Sequence, residues 1–268
     1  MDVTESEISA VYYYKNYSAM NIIWEINDSD AKRAIEFVSK IKNPLVDKRL
    51  SRNINRENIG INKESILRTM LLSLMTFQQH SSINPRVISF MSKKPFPVLY
   101  KPDMADTDYL IMMFSMFEEH GLAQFVPKVP NFFLKNITFL EKTNWALIPD
   151  LKEILEKEAG RDNERILADR IDQMFKGFGS KQARVFLQIL GITRYEIPID
   201  KQTLVWLKDF GLPVLFSPNA LQDKGFYHLI SDGIQLLCEK AEIYPCVLDA
   251  AIFSSNTGQT WTKDNVIF

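Results

Sequence analysis

The chain has 268 residues, 46% of them apolar, and a formal net charge of −1. That is enough apolar matter for a substantial core, in one large domain or two small ones. No run of about twenty uninterrupted apolar residues occurs, so no helical membrane span is expected, and the acidic opening MDVTESEIS is unlike a signal peptide.

After that polar leader comes an aromatic stretch, VYYYKNYSAMNIIWEI, which periodicity leaves open between helix and strand. Asp28-Ser29-Asp30 then caps a clearer helix with apolar positions at Ala34, Ile35, Val38 and Ile41. Residues 43–60 are polar and basic and read as a linker or loop, which makes 1–60 an N-terminal helical extension plus linker ahead of a core domain over 61–268. Asn62 is the expected N-cap of a long helix over 63–80, apolar nearly all round and therefore buried. It closes on Gln78, Gln79, His80 and Ser81, polar residues at the end of a core helix, followed by Asn84-Pro85-Arg86. As residue types alone, these simply cap and hydrate a helix end.

Pro95-Phe96-Pro97 precedes a helix over 105–121, with Asp106 or Thr107 as cap and Gly121 as stop. Its Met and Phe residues fall at core spacing. Short helices follow to 160, then a longer one from Arg161. Beyond Asp200, helices are expected to end at Gly211, to start at Ser217-Pro218, to run from Asp223 and to close with YPCVLDAAIFSS. Strand alternation is absent throughout, so the expected fold class is all-α.

Near-zero net charge argues mildly against a nucleic-acid partner, but the charge is unevenly spread. Residues 81–101 hold Arg86, Lys93, Lys94 and Lys101 with no acid. Residues 170–194 hold Arg170, Lys176, Lys181, Arg184 and Arg194 against Asp172. Either cluster alone is most simply a solvated helix face. His80, His120 and His228 have no carboxylate or thiol partner at ligand spacing, so no metal site is expected. Cys238 and Cys246 read as two buried free thiols in a reducing cytosol.

The informative stretch is Ile171 to Trp206. It reads as helix, Gly-x-Gly hairpin (Gly177, Phe178, Gly179), helix from Ser180 and Lys181, extended run, then a third helix capped by Asp200. Glycines allow a sharp reversal. The N–H groups that open the next helix have no intrahelical partner and sit at its positive dipole end, where a phosphate would meet aimed donors. A first-turn lysine by itself is a surface residue, and an Asp after Pro-Ile by itself is an N-cap. The joint pattern carries more.

GFGSK over Gly177–Lys181, followed nineteen residues after the lysine by the Asp200 of PID, resembles the helix-hairpin-helix DNA glycosylases, in particular their 8-oxoguanine glycosylase/AP lyase branch. The resemblance extends more faintly over 62–255 and implies two helical subdomains with a cleft between them. It makes Lys181 the amine nucleophile and Asp200 the assisting acid. The hairpin over about 165–190 would grip duplex DNA through Gly177, Phe178, Gly179 and Ser180. Gln78, Gln79 or His80, with Gln79 preferred, would wedge into the duplex, and Ser81 and Arg86 would follow the backbone. Val185, Gln202 and Phe253 would line a base pocket, with Trp261 a second stacking candidate. The chain departs from the family pattern at Arg184, often an acid there, and at Gln202, often His or Thr. Two cysteines cannot hold the four-cysteine iron–sulfur cluster of some relatives. The expectation is thus no cofactor, apart from room for a monovalent cation on hairpin carbonyls. The implied protein is a monomeric, cytoplasmic enzyme, nucleoid-associated in a prokaryote and not secreted, acting on duplex DNA with a damaged base. A helix-hairpin-helix module that only binds DNA is the rival expectation.

Overall fold

The computed structural model describes residues 22–76, 84–98, 104–157 and 160–256. Among them there are twelve α-helices and no β-strand, as the sequence predicts. In chain order these are α1 (Asp28–Lys40), α2 (Pro44–Arg49), α3 (Lys63–Thr76), α4 (Pro85–Met91), α5 (Asp106–Glu119), α6 (Lys128–Lys142), α7 (Leu147–Glu156), α8 (Arg161–Met174), α9 (Ser180–Ile189), α10 (Lys201–Phe210), α11 (Lys224–Lys240) and α12 (Pro245–Asn256). A π-helical turn, Leu50–Ile54, continues α2, and 3-10 turns lie at Ala123–Phe125 and Pro218–Gln222.

The apolar side chains gather into two cores. The first is built from α3 to α9, with Ile66, Met70, Leu71, Phe90, Phe117, Phe133 and Phe186 fully buried. The second joins α1 and α2 to α10, α11 and α12, around Ala34, Tyr227, Ile230, Leu248 and Ala251. α3 is buried over nearly every position from Ile66 to Met75, as its all-round hydrophobicity requires, and it packs on α6 and α9. Each such side chain contributes about 1.5–3 kcal/mol on leaving water, so packing and not helix propensity holds α3 in place.

Capping explains most boundaries. Asn62 Oδ1 accepts from the Ser65 N–H at 2.8 Å, the expected start of α3. At α1 the cap sits one residue earlier than expected. Asn27 accepts from Ser29 and Asp30, and Asp30 accepts from the Asn27 N–H in return. α5 has Ala105 at its cap with no side-chain bond, so neither Asp106 nor Thr107 caps it, although Gly121 (φ 65°) does stop it.

The larger correction concerns residues 43–60, expected to be a linker. They are helical over Pro44–Ile54, with Leu45, Val46, Arg49 and Asn53 buried. Some of their polar side chains turn inward, onto the carbonyl end of α9, while Asp47, Asn55 and Asn58 stay exposed. Asn53 Nδ2 donates to Gln188 O (3.1 Å) and Thr193 O (2.8 Å), and Arg52 Nη2 donates to Ile189 O (3.2 Å). No helix among the described residues is long and apolar enough to cross a membrane.

Candidate active site

The two cores adjoin at the segment between α9 and α10. The turn from α8 to α9 is set by Gly177, whose φ of 79° lies in the left-handed region. A Cβ there would also come within 2.4 Å of the Phe132 ring. Gly179 is different: its backbone is extended (φ −142°), and it is the N-cap of α9 without a side-chain bond to the helix. Only one of the two glycines therefore has a conformational reason to be glycine. The other leaves the start of α9 without a side chain over it.

Asn136, on α6, holds the hairpin from behind. Its Oδ1 accepts from the Lys176 N–H (2.7 Å) and its Nδ2 donates to the Lys176 carbonyl (3.0 Å). The Phe178 ring turns inward against Phe175 and Phe186, so the hairpin offers chiefly backbone at that position. Ser180 Oγ donates to Asp172 Oδ2 at 3.1 Å.

Lys181, in the first turn of α9, donates from Nζ to Asp200 Oδ2 at 2.8 Å. The same Asp200 caps α10, its Oδ1 accepting from the backbone N–H of Gln202 (2.8 Å) and Thr203 (3.3 Å). One carboxylate thus starts a helix of the second core and receives a lysine from the first. The two side chains are 31% and 27% exposed, so the amine is both held and reachable.

The loop that sets this separation is tied down by buried charge. Glu164 accepts from the N–H groups of Arg194, Tyr195 and Glu196 at 2.7–2.9 Å. Glu196, fully buried, accepts from Arg184 Nε (2.6 Å) and Arg165 Nε (2.9 Å). Burial pushes the Glu196 carboxyl up, but the Arg184 and Arg165 guanidiniums outweigh it and hold it below the usual range. Arg184, one turn beyond Lys181, is itself fully buried, reaching Asp169 and lying over the Tyr227 ring. The basic residues of 170–194 therefore do not form one solvated face: Arg170 and Lys176 are exposed, while Arg184 is buried. Arg170 pairs with Asp150, Lys181 with Asp200 and Arg184 with Glu196, while Arg194 donates to the carbonyls of Asn53 and Ile54.

Of the other expected site residues, Val185 is partly buried against the first core and Phe253 against the second. Gln202 stands in the first turn of α10, its Oε1 buried without a hydrogen-bond partner among the described residues. Arg86 opens α4 and donates from Nη1 to the Gly121 carbonyl at 3.2 Å. Gln78, Gln79, His80, Ser81 and Trp261 lie outside the described residues. No group of three or more His, Cys, Asp or Glu suited to a metal occurs among the described residues. Cys238 and Cys246 are buried free thiols.

Sequence reasoning missed Asp249. It is the only charged residue in α12, its Oδ2 accepts from Gln188 Nε2 (3.0 Å), and it faces Lys181 and Asp200 electrostatically. Burial pushes its carboxyl up to about 6, the charge of Asp200 adding to the rise and Arg49 opposing it. A lone acid in an otherwise apolar helix was the available signal.

Among the described residues the fold is all-α, and the hairpin between α8 and α9 sets Lys181 against Asp200 between two helical cores. Comparison with solved structures gives the same architecture: the fold is similar to that of the 8-oxoguanine DNA glycosylase of Thermotoga maritima, at a TM-score of 0.57 and 15% identity, over 87% of this chain and 100% of that one. No family model and no curated protein matches the chain.

Proposed function

We propose that the chain is a bifunctional DNA glycosylase and AP lyase that removes an oxidised purine, 8-oxoguanine first among them, from duplex DNA. The observation that carries this reading is the Lys181–Asp200 contact at 2.8 Å, reachable from solvent and set directly behind the hairpin. The likeness in fold to an 8-oxoguanine DNA glycosylase supports it.

A base inside the duplex is out of reach, so the nucleotide must rotate out, at a cost of a few kcal/mol. Backbone N–H groups at the start of α9 would hold a phosphate and fix register without reading sequence. Lys181, after passing a proton to Asp200, attacks C1′. The N–C1′ bond forms, the glycosidic bond breaks, and the base leaves with the proton that Asp200 had taken up, which returns Asp200 to its carboxylate. Ring opening gives an iminium that acidifies C2′–H, and loss of that proton expels the 3′ phosphate. The Asp200 carboxylate stabilises the positive charge that grows on the sugar. A hairpin used only for binding gives no role to a lysine held by an aspartate in this way.

The test is a panel of duplexes with 8-oxoguanine, other oxidised purines or oxidised pyrimidines, each opposite all four bases. Base release followed by strand cleavage is expected, greatest for 8-oxoguanine. Release of a different lesion would keep the chemistry and change the substrate. Binding to the duplexes with no release of any base would contradict the enzyme reading.

A further inference from the structure

Asp249 is faced by groups from four other helices. Gln188 on α9 donates to it and accepts on Oε1 from Arg49 Nη2, on α2, at 3.1 Å. Gln188 and Lys181 are seven residues apart on α9, two turns and about 10.5 Å, and so share one face. The charged or titratable groups facing Asp249 are Arg49 on α2, Lys181 on α9, Asp200 at the cap of α10, Tyr227 on α11 and Cys246 on its own helix. Arg49 is 6% exposed. The contacts of Arg52 and Asn53 with the end of α9 fix the segment that presents it, and cations suit the carbonyl end of a helix.

We propose that Arg49, from the N-terminal helical segment, is a positioning residue of the Lys181–Asp200 site: through Gln188 it holds Asp249 beside that pair. The segment before α3 is then part of the working site. An anionic Asp249 favours positive charge on the neighbouring sugar and iminium, so the reaction speeds up as pH climbs through its ionisation. The cation of Arg49 favours the anion, and removing it moves that ionisation to higher pH. The kinetic half of this inference rests on the proposed glycosylase chemistry, whereas the titration half does not.

The experiment is a carbon-13 NMR titration of the Asp249 carboxyl, assigned by difference from Asp249→Asn, in the full chain and in Arg49→Met, Arg49→Lys and Arg52→Met. The inflection is expected near pH 6 in the parent, about one unit higher in Arg49→Met, and between the two in Arg49→Lys. Arg52→Met loosens the same segment and is expected to leave it unmoved. Should Arg49→Met not fold, Arg49→Lys against Arg52→Met still decides. An inflection untouched by loss of Arg49, or moved equally by loss of Arg52, overturns the proposal. In parallel, the rate of borohydride-trapped adduct is followed against pH. Its inflection is expected to move with that of Asp249, and an inflection that stays fixed while Asp249 moves overturns the role in the site. A parent chain that forms no adduct contradicts the lyase chemistry and leaves the titration to judge Arg49.

Discussion

Arg184→Met is expected to lower the unfolding free energy by about 3–5 kcal/mol and the melting temperature by roughly 10 °C. Arg184 is fully buried and bonded to Glu196, Asp169 and the Ser180 carbonyl at once. Taking it away leaves Glu196, also fully buried, with Arg165 as its one remaining ion-pair partner among the described residues. Breaking half of a buried ion network costs more than the network itself contributes, because a charge is left unmatched in low dielectric. The double variant Arg184→Met with Glu196→Met should therefore fall short of the sum of the single losses. Thermal and urea unfolding measure both. A loss below about 1 kcal/mol for Arg184→Met, the size expected of an exposed pair, would contradict the buried arrangement.

Asp200 separates into two functions by substitution. Asn caps a helix about as well as Asp, so Asp200→Asn is expected to keep stability within about 0.5 kcal/mol. It removes the carboxylate that receives Lys181, and single-turnover base release should fall by about 10²–10⁴. Asp200→Ala loses the cap as well, and about 1 kcal/mol of stability with it. Base release and thermal unfolding, measured side by side, check the pair. Comparable stability losses in both variants would contradict the separation, and full activity in Asp200→Asn would show that the aspartate serves only α10.

The hairpin, the lysine and the aspartate were legible in the sequence because each is specified locally. Gly177 answers to a left-handed backbone, Asp200 to a helix start, and their spacing to one helix and one short run. α3 was legible from its hydrophobicity, and the all-α class from the absence of alternation. What was not legible depends on contacts distant in sequence. Arg49 meets Gln188 across 139 positions, and Gln188 meets Asp249 across 61. The 43–60 segment looks like a loop because it is rich in Asn and Arg. Those side chains replace water at the carbonyls that end α9, which no local pattern records. Likewise a sum of charges over 170–194 does not reveal that Arg184 points into the protein. Asn136 was hidden for the same reason, its partner being the backbone of Lys176 forty residues on.

In the proposed reaction the Lys181 amine becomes bonded to deoxyribose. The direct measurement is borohydride reduction of the chain on a duplex carrying 8-oxoguanine, followed by digestion and mass mapping of the trapped adduct. One adduct is expected, on the peptide that contains Lys181, and none in Lys181→Gln. An adduct that survives in Lys181→Gln, or that maps to another amine, would contradict it.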